Sequence, residues 1–251
     1  MISRIIDNPI FSSSPSNINL FDFVFVYSNG IEWKVIPLSI LLYYPIIYDT
    51  YYDRFSNNSS NNYQYIRSPI SFIFCPHSFS STVVFDKISL TDDVHNNSTV
   101  FKTSNDNKFL ILSNHLFINN KPSSLRTINV KLFKLRTALS LFPDCKFLIH
   151  NINNDLKPII NKSYFTNDSF FNKISNINSS YHPKKICFGI KYLSSKTNNY
   201  KYSILVADDL VSFENYIDKH ITSITHKAAF ITPVFWAIWL SYFPDSKIIV
   251  I

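Results

Sequence analysis

Glycine is almost missing from this chain: only Gly30 and Gly189 occur in 251 residues. Loops that cradle a phosphate or a dinucleotide need close backbone approach, which a residue without a Cβ allows. Nucleotide-cradling loops are therefore not expected. No phosphate loop, dinucleotide fingerprint, Gly-x-Ser-x-Gly or His-Glu-x-x-His is present. The same scarcity shifts turns that want a positive φ onto Asn and Asp. Glutamate (two), glutamine (one) and methionine (one) are as rare, beside abundant Asn, Ser, Ile, Phe and Tyr. That skew reads as the nucleotide bias of an AT-rich genome, such as that of an organelle, a reduced symbiont, a parasite or a virus.

Cysteine is scarce too. Cys75, Cys145 and Cys187 are odd in number and widely spaced, which argues against a disulfide framework and fits a reducing, intracellular compartment. Long apolar runs are also lacking. The opening residues carry no signal-peptide core, and the uncharged stretch Ala228 to Phe243 contains Pro233 and falls short of the roughly 20 residues that cross a bilayer. No transmembrane span is expected; a core helix is.

What the chain does have is apolar and aromatic bulk. Apolar residues make up 46%, with 23 Phe and 15 Tyr, enough to bury a sizeable core and too much for a disordered chain. The net charge is +7. A basic protein fits a nucleic acid or an anionic membrane surface as partner, and a protein or ribonucleoprotein complex is a further candidate. Codon bias explains the charge equally well, since the basic residues are scattered and no run of five occurs.

The pattern is mainly that of strands. Leu20 to Tyr27 and Glu32 to Ile36 read as a hairpin across Ser28-Asn29-Gly30. Pro37 opens a short helix over Leu38 to Tyr44, and Ile46 to Tyr52 is a further strand. Ser56 to Asn62 reads as a low-complexity loop. Ile70 to Phe74 and Thr82 to Leu90 form a central hairpin, and Asp92 to Ser98 a polar loop. Thr99 to Lys102, Phe109 to Leu112 and His115 to Ile118 form a meander. Apolar spacing predicts a helix over Val130 to Phe142, then a strand over Lys146 to Ile149. Beyond the Asn- and Ser-rich residues 150–183, a hairpin over Ile186 to Tyr192 and Tyr200 to Val206 is expected. Helices over Leu210 to His220 and Phe230 to Tyr242 and a strand over Lys247 to Ile251 follow.

An internal echo runs through this order. Leu139-Ser140-Leu141-Phe142-Pro143-Asp144-Cys145-Lys146 and Leu240-Ser241-Tyr242-Phe243-Pro244-Asp245-Ser246-Lys247 share Leu-Ser-x-Phe-Pro-Asp-x-Lys. Each closes a predicted helix and precedes an apolar strand. The expected fold is β-rich α+β, with two related hairpin–helix–strand units packed into one globular body. Residues 1–150 form the first, 151–183 a linker or insertion, and 184–251 a second, smaller unit. A chance repeat of a good helix stop is the alternative.

Chemistry concentrates at the central hairpin, where Cys75, Pro76 and His77 sit between two apolar runs. A thiolate beside an imidazole suits a nucleophile or two metal ligands, so Cys75 and His77 are the candidate catalytic and metal-binding residues, with a zinc or iron ion as the implied cofactor. Further ligands would come from Asp86, His115, Cys145 or Cys187, which have no ligand-like spacing. Cys75 as a small buried hydrophobe and His77 as a turn residue is the competing reading. Asp92-Asp93 and Asp208-Asp209 read as turn or capping carboxylates. His220 and His226 form no motif, and Trp236 and Trp239 fall on one helix face as core.

Four segments in order resemble the prokaryotic domain-of-unknown-function family numbered 3179. Asp7-Asn8-Pro9-Ile10-Phe11 resembles its opening Asp-Asn-Pro-x-Phe. Asn29-Gly30 through Pro37-Leu38, continuing to Ile46-Ile47-Tyr48-Asp49, resembles its Asn-Gly-x-x-x-x-Tyr-Pro-Leu and His-Glu-Ile-Val-Asn-Asp. Phe74-Cys75-Pro76-His77-Ser78 and the later Phe85-Asp86 resemble Tyr-Cys-Pro-Leu-Cys and Phe-Asp. The two Phe-Pro-Asp-x-Lys corners resemble its His-Pro-Asp-Thr corners. The departures are as specific: the second thiol of Cys-Pro-x-Cys is Ser78, the His before Glu-Ile-Val-Asn-Asp is Tyr44, and the Gly-rich stretch has no counterpart. The resemblance implies an uncharacterised globular protein with an eroded Cys/His site and no catalysis. The other readings are a structural or assembly component of a basic organellar ribonucleoprotein or membrane complex, and a thiol- or metal-dependent enzyme using Cys75 and His77.

Overall fold

A computed structural model describes residues 4–250 except 16–17, 21, 57–62, 96–97, 113–114, 119–120, 123–124, 161–163, 165–180, 195–198 and 207–227. The expected loop over Ser56 to Asn62 falls almost wholly outside the described residues, and the helix over Leu210 to His220 wholly so. The chain is strand-rich, as its β-branched and aromatic content requires.

An N-terminal sheet is built on the hairpin β3 (Phe23–Ser28) and β4 (Trp33–Pro37). β14 (Lys131–Lys134) lies antiparallel beside β3, β15 (Lys146–Ile149) parallel beside β4, and β2 (Ile10–Ser12) antiparallel outside β15. A C-terminal sheet is built on the hairpin β16 (Ile186–Leu193) and β17 (Tyr200–Val206). Here β18 (Ala228–Phe235) lies antiparallel beside β16 and β19 (Lys247–Val250) parallel beside β17.

The two sheets share register as well as order. Val26 pairs with Lys131 and Val35, and Gly189 with Thr232 and Ile204. Lys34 pairs with Lys146, and Ser203 with Lys247. In each sheet an edge strand runs straight into a seven-residue helix, α2 (Leu135–Leu141) or α3 (Trp236–Tyr242). The helices lack side-chain caps. Their first N–H groups are satisfied by the approach to the hairpin: Leu135 and Arg136 donate to the Asp22 and Leu20 carbonyls, and Trp236 and Ala237 to those of Lys185 and Pro183.

These junctions correct two expected helices. Val130 to Phe142 and Phe230 to Tyr242 are each a strand and then a helix, because the first half of each apolar run pairs in a sheet. Pairing overrides helical periodicity there. Lys134 (ψ 147) and Phe235 (ψ 141) remain extended, and the helix begins at the next residue.

Residues 38–130 lie between β4 and β14 and make two further sheets. After the single-turn helix α1 (Leu38–Leu41), β5 (Ile46–Ser56) and β6 (Tyr63–Cys75) form a long hairpin. β1 (Ile5–Ile6) flanks β5, while β7 (Ser80–Val84) and then β13 (Thr127–Ile128) flank β6. β8 (Ser89–His95), β9 (Ser98–Lys102), β10 (Lys108–Leu112), β11 (His115–Ile118) and β12 (Lys121–Pro122) form an antiparallel meander against the central sheet. The expected strand Thr82 to Leu90 is therefore two strands in two sheets, broken at Phe85 to Ile88. Asp92 to His95, expected as loop, is strand: β8 runs through Asp92 and Asp93 to His95, β9 begins at Ser98, and Asp93 pairs with Lys108 at 2.6 Å.

The largest core cluster draws on the N-terminal, central and C-terminal sheets, including Phe25, Phe72, Phe74, Phe79, Cys187, Phe235, Trp236 and Trp239. Cys75 belongs to a second cluster between the central sheet and the meander, and Cys145 to a third beneath α2. Among the described residues no helix is long and apolar enough to cross a membrane.

Candidate functional site

The turn Pro76 to Phe79 joins β6 to β7. Alternation along β6 sends Phe72 and Phe74 to the large core and Ile73 and Cys75 toward the meander. The tight return needs a positive φ, and with no glycine nearby Phe79 supplies it (φ 59). Elsewhere Asn8 (φ 58) and Asp106 (φ 64) take such positions, as the composition leads one to expect. A bulky residue in this region is an outlier that packing must hold. Phe79 is fully buried, with ring centroids 5.3 Å from Phe235, 5.6 Å from Phe74 and 6.0 Å from Phe25. The Phe235 N–H donates to the Ser78 carbonyl at 3.2 Å. The turn thus binds the central sheet to the start of α3.

Cys75 and His77 converge on one residue. The Thr99 N–H donates to Cys75 Sγ at 3.2 Å, and the Thr99 hydroxyl pairs with His77 Nδ1 at 2.9 Å. Tyr164 covers His77 edge-on, with centroids 5.6 Å apart, and its hydroxyl donates to the His77 carbonyl at 2.8 Å. The buried Lys184 ammonium lies 3.9 Å from the Tyr164 ring and donates to the Tyr164 carbonyl. Burial pushes the Tyr164 hydroxyl well above its ordinary value, and the Cys75 sulfur adds to that. Burial lowers the His77 pKa, favouring the neutral ring.

Neither Thr99, expected only as the start of a strand, nor Tyr164 carries a sequence signal of this site. Thr99 sits 24 residues from Cys75 on a different sheet, and Tyr164 in an Asn- and Ser-rich segment with no periodicity. The meander's approach to the central hairpin brings in Thr99, and the packing of Tyr164 against His77 and Phe235 brings in the other; both are tertiary facts.

The other candidate ligands lie elsewhere. The Asp86 carboxylate accepts from the Ser104 hydroxyl and the Lys87 N–H, both at 2.7 Å. Cys145 and Cys187 sit in their own core clusters, where burial raises both thiols, Cys187 to about 12. His115 lies on β11; Asp208, Asp209, His220 and His226 lie outside the described residues. Among the described residues no group of three or more His, Cys, Asp and Glu side chains is placed to hold a metal. Cys75 and His77 are therefore a two-donor set where a tetrahedral site takes four ligands. Buried hydroxyls of Ser78, Ser81, Thr82 and Ser98 have no hydrogen-bond partner among the described residues. Adjacent strand positions point to opposite faces, so Ser81 and Thr82 do not line a common pocket.

A second polar cluster lies where the N-terminal sheet meets the β5–β6 hairpin. The fully buried Tyr27 hydroxyl donates to Asp49 at 2.7 Å, and burial raises both groups. Lys34 pairs with Glu32 and lies 4.0 Å from the Phe11 ring. Each of these groups has its partner, so the cluster fastens two sheets.

Comparison with family models, with curated proteins and with solved structures gave no match for this chain.

Proposed function

We propose that this chain is a non-catalytic β-rich protein, divergent from the family numbered 3179, in which the Cys/His site has been eroded to a structural turn. The observation that carries the reading is the double engagement of Thr99. Its N–H occupies the Cys75 sulfur and its hydroxyl occupies His77 Nδ1, so both donors serve the fold. A reactive cysteine needs an accessible, electropositive setting; Cys75 is fully buried among Ile46, Ile73, Val84 and Phe101.

We read the N-terminal and C-terminal sheets as two copies of one unit, as the Leu-Ser-x-Phe-Pro-Asp-x-Lys echo implies. Common strand order, common register and the paired capping of α2 and α3 support this. On that reading residues 38–130 are an insertion into the first copy, and its turn at Cys75 is the contact that docks it on the second.

The test is metal content together with thiol titration, wild type beside Cys75→Ser. Expected is no stoichiometric metal in either protein, and no Cys75 reaction with a thiol reagent until denaturant is added. Stoichiometric zinc or iron that is lost in Cys75→Ser, or fast native-state labelling of Cys75, overturns the reading in favour of a live metal or thiol site.

A further inference from the structure

The β5–β6 hairpin outgrows its sheet. Its pairing runs from Ile46↔Ile73 to Ser56↔Tyr63. β1 accompanies β5 only at Ile46 and Ile47, and β7 accompanies β6 only from Ser71 to Cys75. From Thr50↔Pro69 outward the ribbon therefore has two strands only among the described residues. Such a ribbon is marginal alone, and its root is held from the side: the Tyr52 N–H donates to the Asn29 carbonyl at 2.8 Å, and Gly30 packs on the Tyr52 carbonyl.

The two faces of this arm carry opposite charge. Asp49, Tyr51, Asp53 and Ile66 point one way, where Arg126 pairs with Asp53 at 3.1 Å and lies over the Phe85 ring. Tyr52, Arg54, Tyr65 and Arg67 point the other way, with Tyr48 and Lys87 at the root. Arg67 lies 5.7 Å from the Tyr52 ring, Lys87 lies 5.4 Å from the Tyr48 ring, and Tyr52 and Tyr65 meet edge-on at 6.4 Å. Tyr65, Arg54, Arg67 and Lys87 are exposed. Neither Arg67 nor Lys87 makes an ion pair among the described residues. Asp7 acts electrostatically on Tyr48 at the root of this face.

We propose that this face of the arm, centred on Tyr52, Tyr65 and Arg67, binds single-stranded nucleic acid. An acid-poor cationic strip complements a phosphate backbone. Tyrosine rings between the cations offer stacking surfaces that only unpaired bases can use. An acidic protein would use the charges but not the rings, and a duplex hides its base faces. This goes beyond the structural role of the Cys75 turn, and neither depends on the other.

The experiment is fluorescence anisotropy of the whole chain with labelled oligouridylate and oligothymidylate of about 12 nucleotides, a length within the site sizes usual for such surfaces. Saturable binding is expected, with log K falling against log salt at a slope of about −1.4 to −2.1 for two to three phosphate contacts. Tyr65→Ala and Arg67→Gln, both exposed and so expected to leave the thermal melt unchanged, should each weaken binding about tenfold, the scale of one lost stacked base. The proposal is overturned if no saturable binding occurs, if the variants bind as the wild type does, if duplex of the same length binds equally well, or if phosphatidylserine vesicles bind through Tyr65 and Arg67 while the oligonucleotides do not.

Discussion

His77 is half-buried under Tyr164 with Nδ1 held by Thr99, and burial keeps its pKa below the ordinary 6.5. The folded state therefore takes up its proton at lower pH than the unfolded chain does. Below about pH 6.5 the unfolded state binds more protons, so stability falls as the pH drops and is fully regained above it. Urea unfolding at about pH 7.5 and 5.5 should show a loss on acidification that His77→Asn reduces. A part should persist in that variant, since burial also lowers His150. An unchanged acid loss in His77→Asn would mean that the ring titrates freely and is not enclosed. At this scale the sequence showed Cys75 and His77 by their residue types. It hid Thr99 and Tyr164, which are ordinary residues made specific only by a long-range approach.

Elements were legible wherever one strand met one apolar run: the two hairpins, the meander and both Pro-Asp corners are where composition puts them. The two strand–helix junctions were not, because an apolar run that begins in a sheet and ends in a helix has no break in its hydrophobicity. The echo is unaffected, since both sheets make the same junction. They fill the space beneath the helix differently. Val26 and Ala138 belong to one core cluster at the first sheet. At the equivalent positions Gly189 lies under Trp239, and a Cβ on Gly189 would come within 2.1 Å of the indole ring. Small under large thus replaces medium under small. Gly189→Ala alone should cost about 1–3 kcal/mol or more by overpacking. Trp239→Ala alone should cost about 3–5 kcal/mol by leaving a cavity. Combining the two should cost clearly less than the sum, because each relieves the other's fault. Additive losses in denaturant unfolding would show that the two residues do not share that space.

At the scale of the whole molecule, the folding unit is set by the core and not by the sheets. One cluster joins Phe25 of β3, Phe72 and Phe74 of β6, Phe79 of the turn, Phe235 of β18 and Trp236 of α3. The sequence reads 151–183 as a linker or insertion, and the contacts of this cluster run through aromatic rings far apart in the chain. Parts sharing a core should unfold together. Trp33 lies on the N-terminal sheet and is partly exposed, whereas Trp236 and Trp239 are fully buried beside the C-terminal sheet. In a Trp33→Phe variant the fluorescence therefore reports the C-terminal side alone, while far-ultraviolet circular dichroism reports all strands. The two melting curves should coincide. Phe79→Ala, which removes the ring between Phe74 and Phe235, should lower both by the same amount, with a loss of about 3–5 kcal/mol. If the dichroism curve splits while the fluorescence step stays sharp, the C-terminal unit folds by itself. The Phe79 contact would then join two stable bodies and would not complete one.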